Sequence, residues 1–180
     1  VERSRGLGDV YKRQAQSIFS QDPKTRFKID SHYHYRNTPD FIEKTVKIYR
    51  QYNTMVCVLT PFEALEKMKK AIEEYPDVFI GYGSIKLDDP LAVDKIDAFY
   101  RAGFKGIGEL SRPLKNYDDP KYFPIYERIQ FYGMAVLFHT GIVSRRSPDI
   151  PSYSGMARMR PSFVEIVARR FPKLKVCIAH

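Results

Sequence analysis

Four histidines, the only ones in the 180-residue chain, lie where β-rich runs of the sequence end. His32 and His34 close the first run, His139 lies in the fifth and His180 ends the sixth. Residues two apart on a strand point to the same side, so the first two imidazoles should enter one space. A single buried histidine is usually a hydrogen-bonded core residue, but four at equivalent strand ends favour a metal. Imidazole nitrogen is a familiar ligand of Zn²⁺ and of similar divalent ions, so the pattern predicts a divalent-metal site.

Acidic and basic side chains near the same strand ends are candidates for supporting roles. Asp30 shares the parity of His32 and His34, so it either orients a ligand or is a polar strand-end residue. Glu109 ends the fourth run, and it is a ligand, a general base or a salt-bridge partner at the mouth of the fold. Four cations after the fourth and fifth runs either clamp a substrate carboxylate or are solvated loop charges: Arg112, Lys115, Arg145 and Arg146.

An alternation of β-rich runs with longer amphipathic segments must position these residues, and it predicts βα units around a parallel sheet. Such units suit either a doubly wound sheet or a (β/α)8 TIM barrel with about six of its eight units present. No glycine-rich phosphate loop follows the first run, which argues against a nucleotide-binding sheet. The predicted strands cover residues 27–34, 54–59, 78–85, 104–110, 134–140 and 174–180.

Composition limits the classes of protein to which the chain can belong. Its hydrophobic fraction of 43% and charged fraction of 28% suit one globular domain. The formal charge of +9 is scattered among acidic residues along helical segments, so we expect no nucleic-acid partner. No apolar run is long enough for a membrane helix, so we expect no membrane partner. Cys57 and Cys177 lie in apolar runs and are predicted to be small buried residues of a cytoplasmic protein.

The two ends of the sequence differ in character from the part between them. Residues 1–14 have no apolar period, and the peptide DVYKRQ within them resembles the translation of a transposase end sequence used to prepare sequencing libraries. We therefore expect residues 1–14 to be an adapter-derived leader and residues 15–180 to be a partial barrel domain. Because the chain stops directly after a predicted strand, we also expect the barrel to be cut short and the fragment itself to be inactive.

Three segments together resemble the second broad family of the amidohydrolase superfamily, which includes decarboxylases and lactone hydrolases. The segments are IDSHYHY, then GFKGIGELSRPLKNYDDPKYFPIYERIQFYGMAVLFHTG, then RPSFVEIVARRFPKLKVCIAH. The resemblance implies a (β/α)8 barrel with one divalent metal, usually zinc, at the carboxyl ends of the strands. It implies that His32, His34 and His139 are metal ligands and that His180 is a ligand or the acid/base. An aspartate that the family carries on strand eight lies beyond this sequence.

The function implied is a metal-dependent hydrolase, in which a water activated by the metal attacks an amide, ester or lactone carbon of a small carboxylated substrate. Zn²⁺ is the expected cofactor, with Mn²⁺ and Fe²⁺ as alternatives. Glu109 and His180 are the candidate catalytic residues, and Arg112 and Arg145 the candidate substrate-binding residues. Non-oxidative decarboxylation on the same metal site is the first alternative, and a non-catalytic metal-binding domain is the second. Whether the protein forms a homo-oligomer is left open by the sequence.

Overall fold

The computed structural model describes residues 25–141 and 156–180, and in them β-strands alternate with α-helices. The strands begin and end within a few residues of their predicted bounds. Proline in the first turn marks the start of the last two helices, because its fixed φ suits the first helical turn. The strands are β1 Lys28–His34, β2 Thr54–Pro61, β3 Phe79–Ser84, β4 Gly106–Leu110, β5 Ala135–His139 and β6 Lys175–Ala179. The helices are α1 Phe41–Gln51, α2 Leu65–Glu74, α3 Ala92–Arg101, α4 Phe123–Phe131 and α5 Pro161–Arg170.

All six strands are parallel and hydrogen-bond in the order of the sequence, from β1 to β6. A doubly wound sheet would reverse its strand order at a switch point, and the described sheet has no such reversal. Leu59 of β2, Leu137 of β5 and Ala179 of β6 pack into one cluster on the face opposite the main core. Side chains of such distant strands can meet only if the sheet curls. The architecture is therefore a partial (β/α)8 barrel, and its described residues supply six strands and five α-helices.

The main core lies between the outer face of the sheet and the helices. It contains residues of every helix, for example Val46, Met68, Ile96, Ile129 and Val167. Burial of this apolar surface is the main stabilising contribution to such a fold. None of the helices in the described parts of the chain is long and apolar enough to cross a membrane.

One sequence prediction about burial is wrong. Cys57 is buried as predicted, but Cys177 is exposed. The reason is its position on β6, which has β5 as its only neighbour among the described strands. Ile178 on the same strand also exposes 47% of its surface. An apolar strand pattern therefore did not ensure burial, because β6 is an edge strand in this sheet.

Candidate metal centre

Glu109 and the four histidines meet at the carboxyl ends of β1, β4, β5 and β6. His32 Nε2 and His34 Nε2 are 3.2 Å apart. Glu109 Oε2 lies 3.5 Å from His32 Nε2 and 3.9 Å from His34 Nε2. Two nitrogens and one oxygen thus form a compact triangle with sides of 3.2 to 3.9 Å.

The other oxygen of Glu109 faces the remaining two histidines. Glu109 Oε1 is 2.7 Å from His139 Nδ1 and 3.2 Å from His180 Nε2. His139 Nε2 lies 3.1 Å from the carbonyl oxygen of Gly141. The carboxylate therefore lies at the centre of the cluster, between the β1 histidines and those of β5 and β6. Its side chain is only 10% exposed, so burial strengthens each of these polar contacts.

A β-bulge in β1 decides which of its side chains enter the cluster. Asp30 pairs with Val56 and Tyr33 pairs with Val58, so β1 carries one more residue than β2 between these pairs. Both partners, Val56 and Val58, belong to the core on the helix side of the sheet. Asp30 thus faces the helices, where its Oδ2 accepts a 2.6 Å hydrogen bond from the Tyr49 hydroxyl. The prediction that Asp30 points inward with His32 was wrong, because the bulge changes the alternation between them.

A second bulge places Glu109. Ile107 pairs with Val136 and Leu110 with Phe138, so β4 carries an extra residue opposite β5. Gly108 within it has a φ of 142°, and a Cβ on it would lie 2.6 Å from the carbonyl oxygen of Leu137. Only glycine fits this backbone without a collision. Glycine at 108 therefore allows β4 to approach β5 closely while Glu109 turns towards the histidines.

The donor atoms fit a divalent cation. Zinc bound by nitrogen and oxygen at about 2.0 to 2.2 Å in tetrahedral geometry keeps its ligand atoms roughly 3.3 to 3.5 Å apart. The triangle of His32, His34 and Glu109 has sides of 3.2, 3.5 and 3.9 Å. The donor atoms of this triangle all lie within 4.8 Å of one another. The same is true of a second set, which consists of Glu109, His139 and His180. Neutral imidazole with one carboxylate is a ligand set that Zn²⁺ and Mn²⁺ both accept.

The local electrostatics favour a neutral, metal-binding ring at His34. Partial burial of the ring, and then the neighbouring His32, lower the pKa of His34 below its ordinary value. A neutral ring keeps the lone pair that a metal needs. His139 is 7% exposed, and its Nδ1 contact with Glu109 resembles the carboxylate–histidine contacts that orient metal-binding imidazoles.

A cavity of about 360 Å³ adjoins Glu109 on the side of β2, β3 and β4. Ser84 and Ser111 at the ends of β3 and β4 line it, together with Lys86 and the apolar Phe62. Sequence reasoning missed these residues, although Ser84 ends a strand and Ser111 follows one, which is the rule that found the histidines. Arg112 is exposed, and it is not among the residues that line this cavity. Arg145 and Arg146 lie outside the described residues.

Comparisons with known proteins agree with this architecture. A family model described as Amidohydrolase matches residues 22–180. Many solved structures are similar, and the three described here have identities low enough to show only a shared fold. One is a 5-carboxyvanillate decarboxylase of Novosphingobium aromaticivorans, complexed with manganese and 4-hydroxy-3-methoxy-5-nitrobenzoic acid. Its sequence identity is 15% and its TM-score is 0.60, and the match covers 87% of this chain and 66% of that chain. A 2,6-dihydroxybenzoate decarboxylase from Rhizobium is 13% identical with a TM-score of 0.56, over 86% and 66% respectively.

The third structure is described as a probable 2-pyrone-4,6-dicarboxylic acid hydrolase from Acinetobacter baumannii, with citric acid bound. It is 16% identical with a TM-score of 0.51, over 84% of this chain and 57% of that chain. The chain thus spans between 57% and 66% of the length of these three structures.

Proposed function

The chain belongs to the amidohydrolase family, and from this premise we propose that it forms the metal-binding part of a hydrolase that acts on a small carboxylated molecule. The observation that carries the proposal is the central position of Glu109, whose two oxygens face four histidines at the carboxyl ends of the strands. In barrels of this kind that end of the strands carries the active site. The bond cleaved is an amide, ester or lactone bond.

His32, His34 and Glu109 would hold the cation, and His139 would join them or fix the orientation of Glu109. The fit of the donor spacing to tetrahedral zinc supports the first set. A divalent cation bound there would supply Lewis acidity, which polarises a substrate oxygen and lowers the pKa of a water. We propose Zn²⁺ as the ion, with Mn²⁺ and Fe²⁺ as alternatives.

His180 would move protons during the reaction. Its Nε2 lies 3.2 Å from Glu109 Oε1, so a proton taken up by the imidazole can be stabilised by the carboxylate. The side chain is half exposed, which keeps it accessible to a substrate. In hydrolysis His180 would accept a proton from the attacking water and return it to the leaving group. Glu109 would keep the resulting imidazolium oriented.

The cavity beside Glu109 would bind the substrate. Its lining combines an apolar wall at Phe62 with the hydroxyls of Ser84 and Ser111 and the ammonium group of Lys86. A second lysine, Lys95, is held by Asp89 at 2.6 Å, so Lys86 is the lysine of the lining without such a pairing in the described chain. A small molecule with an apolar body and one carboxylate matches these groups. Arg112 and Arg145 remain predicted substrate contacts.

Decarboxylation is the second candidate. Two of the three similar structures described above are decarboxylases of aromatic carboxylic acids. The same groups suffice for this reaction, since His180 could protonate the ring carbon that bears the carboxylate before the C–C bond breaks and CO2 leaves. A proton donor beside a carboxylate-binding cavity serves either reaction, so the two candidates differ in product and not in site.

The test requires a protein in which this chain is joined to the remaining strands of a barrel. Metal content is measured by elemental analysis, and the loaded protein is incubated with aryl esters, lactones and hydroxybenzoic acids. Acid and alcohol products support hydrolysis, whereas CO2 release supports decarboxylation. Bound metal without any turnover would favour a non-catalytic metal-binding domain, and no bound metal would exclude all three. The 180-residue chain alone is expected to bind metal and to be inactive.

Three further expectations remain predictions. The described residues do not test whether residues 1–14 are a foreign leader, because they lie outside the described parts of the chain. The cytoplasmic location and the lack of a nucleic-acid partner are likewise predictions, the latter testable by the salt dependence of any DNA or RNA binding.

A further inference from the structure

The hydroxyl of Tyr117 lies between two main-chain carbonyl groups at the ends of neighbouring strands. It donates to the carbonyl oxygen of Leu110 at 2.7 Å and to that of His139 at 2.8 Å. Leu110 directly follows Glu109 in β4, and His139 ends β5. A hydroxyl has one proton, so the two carbonyl groups share it. A side chain from the loop after β4 therefore connects the two strand ends that carry Glu109 and His139.

This connection lies where the pairing of the two strands is irregular. The ladder between β4 and β5 runs regularly to Ile107 and Val136, and it resumes at Leu110 and Phe138. The extra residue of the bulge disrupts the backbone hydrogen bonds in between. The Tyr117 hydroxyl supplies a polar link beside this disruption, next to the Glu109–His139 contact of 2.7 Å.

Tyr117 itself is held firmly. Its side chain is fully buried, and its ring packs edge-on against Phe138 with the centroids 4.9 Å apart. The Tyr126 hydroxyl of α4 donates to the Tyr117 carbonyl oxygen at 2.8 Å. The Tyr117 N–H donates to the carbonyl oxygen of Arg158 at 3.3 Å. Because the ring, the carbonyl group and the N–H of Tyr117 are all held, its hydroxyl can keep the two strand ends at a constant spacing.

We propose that Tyr117 is a positioning residue whose hydroxyl sets the spacing of Glu109 and His139, and through it the arrangement of the metal donors. The inference rests on the proposed function, because it requires that these donors hold a metal ion. Groups that orient metal ligands commonly change metal affinity by about 10- to 100-fold when they are removed. Tyr117 would act through the backbone of the ligand strands, so we expect an effect at the low end of that range.

The test is Tyr117→Phe, which removes the hydroxyl and keeps the ring. Zn²⁺ affinity of the 180-residue chain is measured by competition with a chelator dye, and the visible spectrum of the Co²⁺-loaded chain reports the geometry of the donors. We expect about a tenfold loss of Zn²⁺ affinity and an altered Co²⁺ spectrum. The matched control is Tyr122→Phe, which also removes a buried hydroxyl, one that donates to Asp88 in the loop after β3. Its affinity and spectrum should equal those of the unmodified chain.

Thermal melting of the metal-free variants separates a structural role from a positioning role. Tyr117→Phe and Tyr122→Phe each lose one buried hydroxyl, so both should have a lower melting temperature. Only Tyr117→Phe should change the metal site. Tyr126→Phe is the second variant, because it frees the Tyr117 carbonyl and leaves the Tyr117 hydroxyl in place; a smaller loss of affinity is expected. Unchanged Zn²⁺ affinity in Tyr117→Phe, or in Tyr126→Phe if the first variant does not fold, overturns the inference. No Zn²⁺ binding by the unmodified chain overturns the proposed function instead.

Discussion

Glu109 and His139 are joined by a contact of 2.7 Å between Oε1 and Nδ1, across the ends of two adjacent strands. Both side chains are at most 10% exposed. The second oxygen of Glu109 lies 3.5 Å from His32 on β1, so this one carboxylate connects strands that are three positions apart in the sheet. The cluster is therefore organised around its single acidic member.

Replacing Glu109 with glutamine should abolish tight metal binding. The amide keeps the shape of the side chain but loses the negative charge that a carboxylate ligand offers a divalent cation. We expect Zn²⁺ affinity to fall by at least about 100-fold, measured by dye competition. Glu63→Gln on the rim of the cavity is the control, and its affinity should not change. Equal affinity in the two variants would mean that Glu109 serves only as a salt-bridge partner at the barrel mouth.

Alanine at both His32 and His34 should remove the bound metal while the fold persists. Two of the three donors in the closest triangle would be lost. Elemental analysis should find about one zinc per unmodified chain and none in the double variant. Ser31→Ala tests whether any change in β1 has the same effect, since the exposed Ser31 lies beside His32. Retention of zinc by the double variant would contradict the assignment of these ligands.

Lys86→Met should weaken substrate binding without affecting the metal. The variant keeps an unbranched apolar chain and removes the ammonium group from the cavity lining. In the barrel-complete protein we expect KM for a carboxylated substrate to rise about tenfold, equivalent to roughly 1.4 kcal/mol, with unchanged metal content. Lys115→Met is the control, because the exposed Lys115 does not line the cavity. A normal KM in Lys86→Met would place the substrate carboxylate elsewhere, with Arg112 as the next variant to make.

Gly108→Ala should destabilise the chain and disturb the metal site. The φ of 142° is unfavourable for any residue with a Cβ, and that atom would meet the Leu137 carbonyl oxygen at 2.6 Å. The conformational strain alone costs about 1 to 3 kcal/mol. Gly103 also has a positive φ, of 85°, but a Cβ there would meet open space. Gly103→Ala should therefore lower the free energy of unfolding by only about 1 kcal/mol. Urea denaturation measures both, and equal losses would show that contact with Leu137 is not important.

The two cysteines should react at very different rates. Burial raises the pKa of Cys57 to about 11, whereas Cys177 is exposed. The thiolate is the reactive form, so at pH 8 the Cys57 thiol is protonated as well as shielded. A thiol reagent should modify one cysteine quickly and the second only after unfolding or as the pH rises towards 11. In Cys177→Ser the fast phase should disappear; two fast thiols in the unmodified chain would contradict the burial of Cys57.

The sequence predicted the partial barrel, through its βα pattern and its family resemblance, and the histidines that gather at the mouth of the barrel. Strand and helix periods depend on residues close together in the chain, and the order of βα units restricts the topology. Parallel strands present their carboxyl ends at one rim, so the positions of His32, His34, His139 and His180 at strand ends were enough to predict that they meet. The confirmed family followed from the same motifs.

Only the tertiary structure decided which way several side chains point. The bulges in β1 and β4 arise from pairing with β2 and β5, and they turned Asp30 to the helices and Glu109 to the centre of the site. The exposure of Cys177 depends on which strands flank β6. Tyr117 lies in a loop, where no period marks its hydroxyl as a link between two strands. In each case the deciding contact joins residues far apart in sequence, and such contacts leave no local pattern.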